Sequence, residues 1–420
     1  MNKNGKSAKV LVIGGGISGI TAAIEASEAG CDVVLVEKTP SLGGRVAQMK
    51  QYFPKLCPPS CGLEINLRKI RTSPRIRCMS LSQVEAIAGE PGNYQVTIRQ
   101  EPRRVTNKCT TCGACVEVCP VDRPDPYNCQ MSTTKAIYLP SETAFPFRFA
   151  IDGEACLGES CGKCIDACPY QAVDLKMQAE TVEVEVQTVI WATGWEPFDA
   201  KKIDGLGFGA YPNILNNLMM ERLASHDGPT DGKILRPSDG KEIESIAFVQ
   251  CAGSRDENYL RHCSGVCCMG SLKQARYVRE QYPDAQIYIF YIDIRSPGRL
   301  EDFFATTQSD EKLQLIKGKV AKISEDAASG NLTVEAEDTL SGKNVSQEVG
   351  LVVLATGIVP ADATSKINLD LKKDESGFLT DDQPLAGLIA AGCAKRPVDV
   401  ASSVRDATGA ALKALQSCVE

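Results

Sequence analysis

The chain has 420 residues, 43% hydrophobic and 24% charged, enough for two or three packed domains. A net charge of -7 with no basic block argues against nucleic acid as a partner. The two histidines, His226 and His262, leave no histidine-based metal or acid-base centre to expect, only surface or capping roles. No stretch approaches the roughly twenty apolar residues of a membrane span, and the short polar start MNKNGKSAK holds no signal-like apolar core, so a soluble, cytoplasmic protein is expected.

The first element is a complete nucleotide-binding unit. Apolar Val10 to Ile13 predicts a strand, Gly14, Gly15, Gly16, Ile17, Ser18 and Gly19 follow, and a helical stretch to Gly30 leads into a second strand from Asp32 to Val36. Gly14 permits the tight turn, Gly16 lets the backbone approach a pyrophosphate, and Gly19 lets helix and strand pack closely. Glu37, with Lys38 beside it, stands about twenty residues on, where a carboxylate takes ribose hydroxyls. The bland alternative, a glycine-rich turn without ligand, does not explain an acid at that offset. Beyond it comes Ser41-Leu-Gly43-Gly44-Arg45, then Tyr52 to Ile65, where two prolines stiffen the turn between Cys57 and Cys61. That pair reads either as a redox or partial cluster site or as structural thiols.

Twelve of the nineteen cysteines fall into three runs of four, with Cys129 as a thirteenth trailing the first. Cys109, Cys112, Cys115 and Cys119 read C-x-x-C-x-x-C-x-x-x-C-P, the ferredoxin spacing that places three thiolates on one cubane and sends the fourth to a neighbour. Cys156, Cys161, Cys164 and Cys168 repeat the tail, with two extra residues before Cys161. Crossing over predicts one [4Fe-4S] cluster on Cys109, Cys112, Cys115 and Cys168, and another on Cys119, Cys156, Cys161 and Cys164. Disulfides or zinc are the alternatives, and the proline after the fourth cysteine of both runs argues against them.

Further along, Thr181 to Gln187 alternates as a half-exposed strand. An apolar strand ends in Ala192-Thr193-Gly194, and another, Leu351 to Gly357, ends the same way. Between them the strand Ser245 to Gln250 runs into Cys251, with no G-x-G-x-x-G after it. Cys263, Cys267 and Cys268 appear instead, ahead of a helical stretch from Ser271 to Glu280. These four thiols read as a third cluster site, as buried cysteines, or as one vicinal redox pair. Cys31, Cys78, Cys129, Cys393 and Cys418 read as packing cysteines.

The segments Gly14 to Gly19, Gly43 to Arg45, both Ala-Thr-Gly strands, and Gly387 to Gly392 with the helical stretch Val404 to Ala411 resemble two-dinucleotide-binding-domain flavoproteins. That resemblance implies FAD, with Gly392 near the flavin; Cys393 stands where those proteins usually carry aspartate. Cys251 with Cys263-Ser-Gly-Val-Cys267-Cys268 resembles the A subunit of heterodisulfide reductase, a flavin and iron-sulfur electron-splitting protein. Tyr52 to Ile65 and Arg396-Pro-Val-Asp-Val-Ala are more similar to A subunits of the quinone-interacting membrane-bound oxidoreductases of sulfate reducers. This family resemblance covers nearly the whole chain, without the further N-terminal domain and C-terminal ferredoxin of heterodisulfide reductase.

The fold expected is α/β, a Rossmann-like, thioredoxin-reductase-like two-dinucleotide-binding-domain flavoprotein with an inserted α+β two-cluster ferredoxin module. FAD-binding parts are expected at 1-105, 176-205 and 350-420, the module at 106-175, and a pseudo-NAD(P)-binding domain with the cysteine site at 206-349. No nucleophile with a base and no paired carboxylate is evident, so no organic substrate is expected on this chain. The resemblance implies an electron relay between menaquinol and adenylylsulfate reductase, with QmoB-like and QmoC-like partner subunits and membrane contact only through them, at the inner face of the cytoplasmic membrane. Two other classes remain open: an NAD(P)H-dependent flavin oxidoreductase subunit, and a scaffold with degenerate cysteines.

Overall fold

The computed structural model describes residues 9–361, 367 and 369–419, so the polar start read above, residues 1–8, lies outside the described residues. Two compact units form, one from residues 1–47, 60–195 and 360–420 and the other from 48–59 and 196–359.

The first unit is built on β1 (Lys9–Ile13), α1 (Ile17–Glu28) and β2 (Asp32–Glu37). Its parallel sheet runs in the order Leu388–Ala390, Thr188–Trp191, β1, β2, Ile76–Ser80. β1 is central, and a strand covered on both faces needs the continuous apolar run that Val10 to Ile13 supplies. α1 is buried along most of its length, packed between this sheet and the C-terminal helix Val400–Val419. That helix is longer than the stretch Val404 to Ala411 suggested, because Asp399 caps its start by accepting the N–H of Ser402 at 2.7 Å. An antiparallel sheet of Glu180–Val186, Asn93–Gln100 and Ser82–Glu90 closes the core around Trp191, Tyr94 and Ile98.

The cysteine-rich segment belongs to this first unit and has its own small core of Val105, Cys115, Ile137, Phe149, Ile151 and Val173. Its two halves repeat one device. In Cys112-Gly113-Ala114-Cys115 and Cys161-Gly162-Lys163-Cys164, a left-handed glycine (φ 88° and 57°) opens a one-turn helix, Ala114–Glu117 or Lys163–Asp166. A bridge between Val105 and Val173 joins the ends of the segment. Phe145 anchors it to the loop after β2: its carbonyl accepts the N–H of Leu42 at 3.0 Å and its N–H donates to the Ser41 hydroxyl at 2.9 Å.

The second unit repeats the doubly wound plan. Its parallel sheet has the order Ile214–Asn216, Leu351–Thr356, β3 (Ser245–Ala252), Gln286–Tyr291, Leu313–Lys317, backed by antiparallel Val320–Glu325, Leu332–Asp338 and Lys343–Val349. The helix α2 (Cys267–Gln281) follows β3 as α1 follows β1. Its polar stripe holds a buried ion pair, Lys273 to Glu221 at 2.9 Å. Gln274 and Tyr277 also donate to the Glu221 carboxylate, at 2.7 and 3.3 Å, so the buried charge is fully met. Lys273 also donates to the Gln51 carbonyl at 2.7 Å, which fastens residues 48–59 to this unit.

Candidate functional site

At the carboxyl end of β1 the glycines leave room for backbone and nothing else. Gly14 has φ +108°, and a Cβ there would lie 2.3 Å from the Ala192 carbonyl oxygen. A Cβ on Gly19 would lie 1.8 Å from the Gly14 oxygen, one on Gly44 2.8 Å from the Gly16 Cα, and one on Gly392 2.1 Å from the Ser18 hydroxyl. Gly16 and Gly43 pair as a bridge. These contacts bring Gly14, Gly16, Ser18, Gly19, Gly43, Gly44, Ala192 and Gly392 to one rim, at the start of α1 where the helix N-terminus favours an anion. Ile17 opens α1, Thr193 and Gly194 follow Ala192, and Arg45 lies over the Trp195 ring at 5.9 Å. Glu37 is buried, and its carboxylate accepts the N–H of Gly15 at 2.6 Å and of Thr39 at 2.7 Å; Lys38 beside it is exposed. Two backbone bonds leave carboxylate lone pairs over for ribose hydroxyls. The rim therefore fits a dinucleotide such as FAD. Cys393 turns its thiol inward to the Val398 carbonyl at 3.4 Å, and burial raises its pKa. Asp406 supplies the carboxylate near Gly392 instead, accepting its N–H at 2.7 Å.

In the module the thiols interleave. Burial pushes the Cys115 thiol up to about 11, and Cys109, Cys168 and Cys164 add to that shift. Burial also raises Cys164, with Cys156, Cys119 and Cys161 as the neighbouring thiols. Cys115 and Cys164 thus each have the end cysteine of the other run, Cys168 or Cys119, among their neighbours. Cys119, Cys156, Cys161 and Cys164 all line one pocket, between Pro120, Ile137, Ile151 and Leu175. The extra residues before Cys161 fold into a 3-10 turn, Gly158–Ser160, entered through Gly158 at φ +72°, which returns the chain to the cavity. Cys112 is exposed.

In the second unit, Cys251 ends β3 and Cys267 and Cys268 form the first turn of α2, the positions that Gly14 to Gly19 hold in the first unit. The helix begins four residues before the expected Ser271, so both cysteines are helical. The Cys267 thiol, donating to the Thr356 carbonyl at 3.6 Å, is pushed up to about 12 by burial, and Cys268, Cys251 and Cys263 act on it. Burial likewise raises Cys251 to about 11. The Ser264 hydroxyl accepts the Ile358 N–H at 2.7 Å, and His262 Nε2 lies 2.9 Å from the Ile358 carbonyl. Among the described residues no three such side chains are gathered as tightly as one metal ion requires. A cubane binds each thiolate through a different iron and so spreads its ligands wider.

Cys57 and Cys61 are exposed, and Cys31, Cys393 and Cys418 are buried. Arg103, just before the module, and Arg123 and Arg148 within it carry no sequence signal.

Residues 9–55 match the FAD dependent oxidoreductase family and residues 102–122 the 4Fe-4S binding domain family. Across 97% of its length the chain is 40% identical to an iron-sulfur A subunit of the CoB-CoM heterodisulfide reductase of Methanopyrus kandleri, 64% of which is covered. Its homologues are heterodisulfide reductase A subunits. The iron-sulfur A subunit of Methanocaldococcus jannaschii is 38% identical over 96% of the chain and 63% of the relative. That of the H(2):CoB-CoM heterodisulfide,ferredoxin reductase of Methanothermobacter marburgensis is 36% identical over 97% and 63%. The chain thus spans somewhat less than two thirds of these curated relatives. Among solved structures, thioredoxin reductase of Lactococcus lactis superposes with TM-score 0.54 at 15% identity, covering 98% of this chain and 99% of that one. The thioredoxin reductase of T. acidophilum gives 0.53 at 13%, with 97% of each chain covered. The fold is thioredoxin-reductase-like, with an FAD-dependent oxidoreductase element and a ferredoxin motif.

Proposed function

We propose that this chain is a flavin and iron-sulfur electron-transfer subunit of the QmoA type. In this reading it relays electrons between menaquinol and adenylylsulfate reductase in dissimilatory sulfate reduction, through QmoB-like and QmoC-like partners at the inner face of the cytoplasmic membrane. The observation that carries the electron-relay reading is the convergence of Cys119 with Cys156, Cys161 and Cys164 on one cavity, inside a module hydrogen-bonded to the Ser41 to Leu42 loop. The finer reading rests on Tyr52 to Ile65.

FAD, when bound, supplies the exchange between two-electron and one-electron chemistry that cubanes, which take one electron each, require. The chain's residues do the positioning. Gly14, Gly16 and the α1 N-terminus hold the pyrophosphate, Glu37 the ribose, and Gly43 to Arg45 with Ala192 to Gly194 and Gly392 border the flavin. Cys109, Cys112, Cys115 and Cys168 hold one cluster, Cys119, Cys156, Cys161 and Cys164 the second, and Cys251, Cys263, Cys267 and Cys268 a third.

A heterodisulfide-reductase-like electron-splitting role is the second reading, favoured by the 40% identity to the Methanopyrus kandleri protein. Anaerobic purification with its native partners separates the two. Reduction by a menaquinol analogue with transfer to adenylylsulfate reductase supports the first, and turnover of the CoB-CoM heterodisulfide supports the second. Within either, Cys112→Ala and Cys156→Ala should each remove about four irons per chain and leave FAD bound, whereas Cys129→Ala should remove none. Unchanged iron in both of the first two variants rules out the ferredoxin assignment.

A further inference from the structure

The turn joining the strand Leu388–Ala390 to the C-terminal helix Val400–Val419 is held by the protein's own groups. Within it Gly392 has φ +61°, and a Cβ there would lie 2.1 Å from the Ser18 hydroxyl, so the turn stands against the first turn of α1. Both backbone polar groups of Gly392 are taken. Its carbonyl accepts the N–H groups of Lys395 and Arg396 at 3.0 and 3.3 Å, and its N–H donates to Asp406 Oδ2 at 2.7 Å. The flanking residues are tied as well: the Ala391 N–H donates to the Trp191 carbonyl at 2.8 Å, and the Leu379 N–H to the Ala394 carbonyl at 3.0 Å.

Asp406 lies in the second turn of the C-terminal helix, with 13% of its side chain exposed. Its other oxygen, Oδ1, faces two cations, Lys395 Nζ at 3.5 Å and Arg396 Nη2 at 3.7 Å. Lys395 is also held by Asp381 at 2.6 Å, and Asp381 by Lys413 at 3.2 Å. The Asp406 carboxylate therefore does two separable things. One oxygen fixes a backbone N–H at the rim, and the group as a whole places a negative charge one hydrogen bond from Gly392. An uncharged amide can do the first and not the second. A turn left without this acceptor is free to move, and a site that must first be ordered binds its ligand more weakly. A negative charge beside a group that takes up electrons opposes its reduction.

We infer that Asp406 is a positioning residue of the flavin site: it holds the Gly392 turn in the shape that borders the flavin, and its charge lowers the flavin's reduction potential. This rests on the reading that Gly392 borders the flavin. Cys393, next in the chain, turns its thiol to the Val398 carbonyl and does not take this role.

The test uses the full-length protein, purified anaerobically with its flavin and clusters, and reads two quantities. One is the rate of FAD release on dilution, followed by flavin fluorescence. The other is the flavin midpoint in a potentiometric titration followed by absorbance. Asp406→Ala loses the acceptor and should speed FAD release by roughly tenfold or more, the equivalent of one charge-assisted hydrogen bond. Asp406→Asn keeps an acceptor for the Gly392 N–H, so it should release FAD far more slowly than Asp406→Ala, while its flavin midpoint moves to more positive potential. Asp381→Asn removes the other carboxylate on Lys395 without touching Gly392 and should leave FAD release unchanged. Wild-type release in Asp406→Ala, equal acceleration in Asp381→Asn, or an unmoved midpoint in Asp406→Asn would overturn the role of Asp406 alone. If the alanine variant does not fold, the two asparagine variants decide. Full flavin occupancy in Glu37→Lys would overturn the flavin-site reading and this inference with it.

Discussion

The Glu37 carboxylate accepts the Gly15 N–H at 2.6 Å, so the acid that closes β2 fixes the turn that ends β1. Its other oxygen accepts the Thr39 N–H at 2.7 Å, and the side chain is buried between these bonds. One residue therefore shapes the turn after β1 and, in the proposed site, would meet the ribose. Glu37→Gln keeps the shape but gives up charge-assisted bonds worth about 1.5–3 kcal/mol. Flavin should remain at reduced affinity. Glu37→Lys places a cation against backbone donors and should empty the site. Flavin content per chain in purified protein measures both, and full occupancy in the lysine variant would contradict the assignment.

Gly19 offers a purely steric test. A Cβ there would stand 1.8 Å from the Gly14 carbonyl oxygen, and both groups are backbone, so neither can swing away. Gly19→Ala should cost at least the roughly 1–3 kcal/mol of an overpacked core. Gly30 is the control: its φ is +97° but a Cβ there would meet no atom within 4 Å, so Gly30→Ala should cost only about 1 kcal/mol of backbone strain. Denaturant midpoints of the two variants should differ in that order, with flavin loss confined to Gly19→Ala.

The nucleotide unit was legible because its cues are local: an apolar strand, glycines at fixed offsets, an acid about twenty residues on. The paired cysteine runs were legible for the same reason. Cys156 looked misplaced by two residues, and only the 3-10 turn at Gly158 shows how the chain absorbs them. The start of α2 was read four residues late because Cys267-Cys268-Met-Gly carries weak helix propensity, which burial of Cys267, Cys268 and Met269 overrides. The bond of Gly392 to Asp406 was invisible, since the two stand 14 residues apart with no pattern linking them. The ion pair of Glu221 with Lys273 was hidden likewise, because each is an ordinary charged residue until tertiary packing buries it.

The thiols of the third set titrate in a direction that can be measured. Burial first, and neighbouring thiols second, push Cys267 to about 12 and Cys251 to about 11. Both stand above the roughly 8.5 of a free thiol, so the unfolded chain gives up these protons first as pH rises. The metal-free folded protein should therefore be most stable below about pH 8.5 in this respect and lose stability from there toward pH 11–12. At pH 7.5 iodoacetamide should label exposed Cys57, Cys61 and Cys112 long before Cys251 and Cys267, and raising the pH should narrow the gap. Peptide mass spectrometry reads each site. Equal labelling rates at pH 7.5 would show that burial does not control these thiols.

The second unit has the doubly wound plan without the dinucleotide fingerprint. β3 and α2 repeat the arrangement of β1 and α1, yet the end of β3, the connection and the first turn of α2 carry Cys251, Cys263, and Cys267 with Cys268, in place of a phosphate-cradling glycine series. A pyrophosphate and a thiolate cluster are both anions, and both are served by a helix N-terminus, so the exchange needs little change of fold. If the proposed third cluster is held there, electrons pass by a metal route, and hydride transfer from NADH or NADPH should be absent. Stopped-flow mixing of either nucleotide with the anaerobic protein should leave the flavin oxidised on a catalytic timescale. Cys267→Ala should remove about four irons beyond the eight of the ferredoxin module's two cubanes, with flavin content unchanged. Rapid bleaching by NADPH, or wild-type iron content in Cys267→Ala, would show that the protein accepts hydride from a pyridine nucleotide or that this unit holds no cluster.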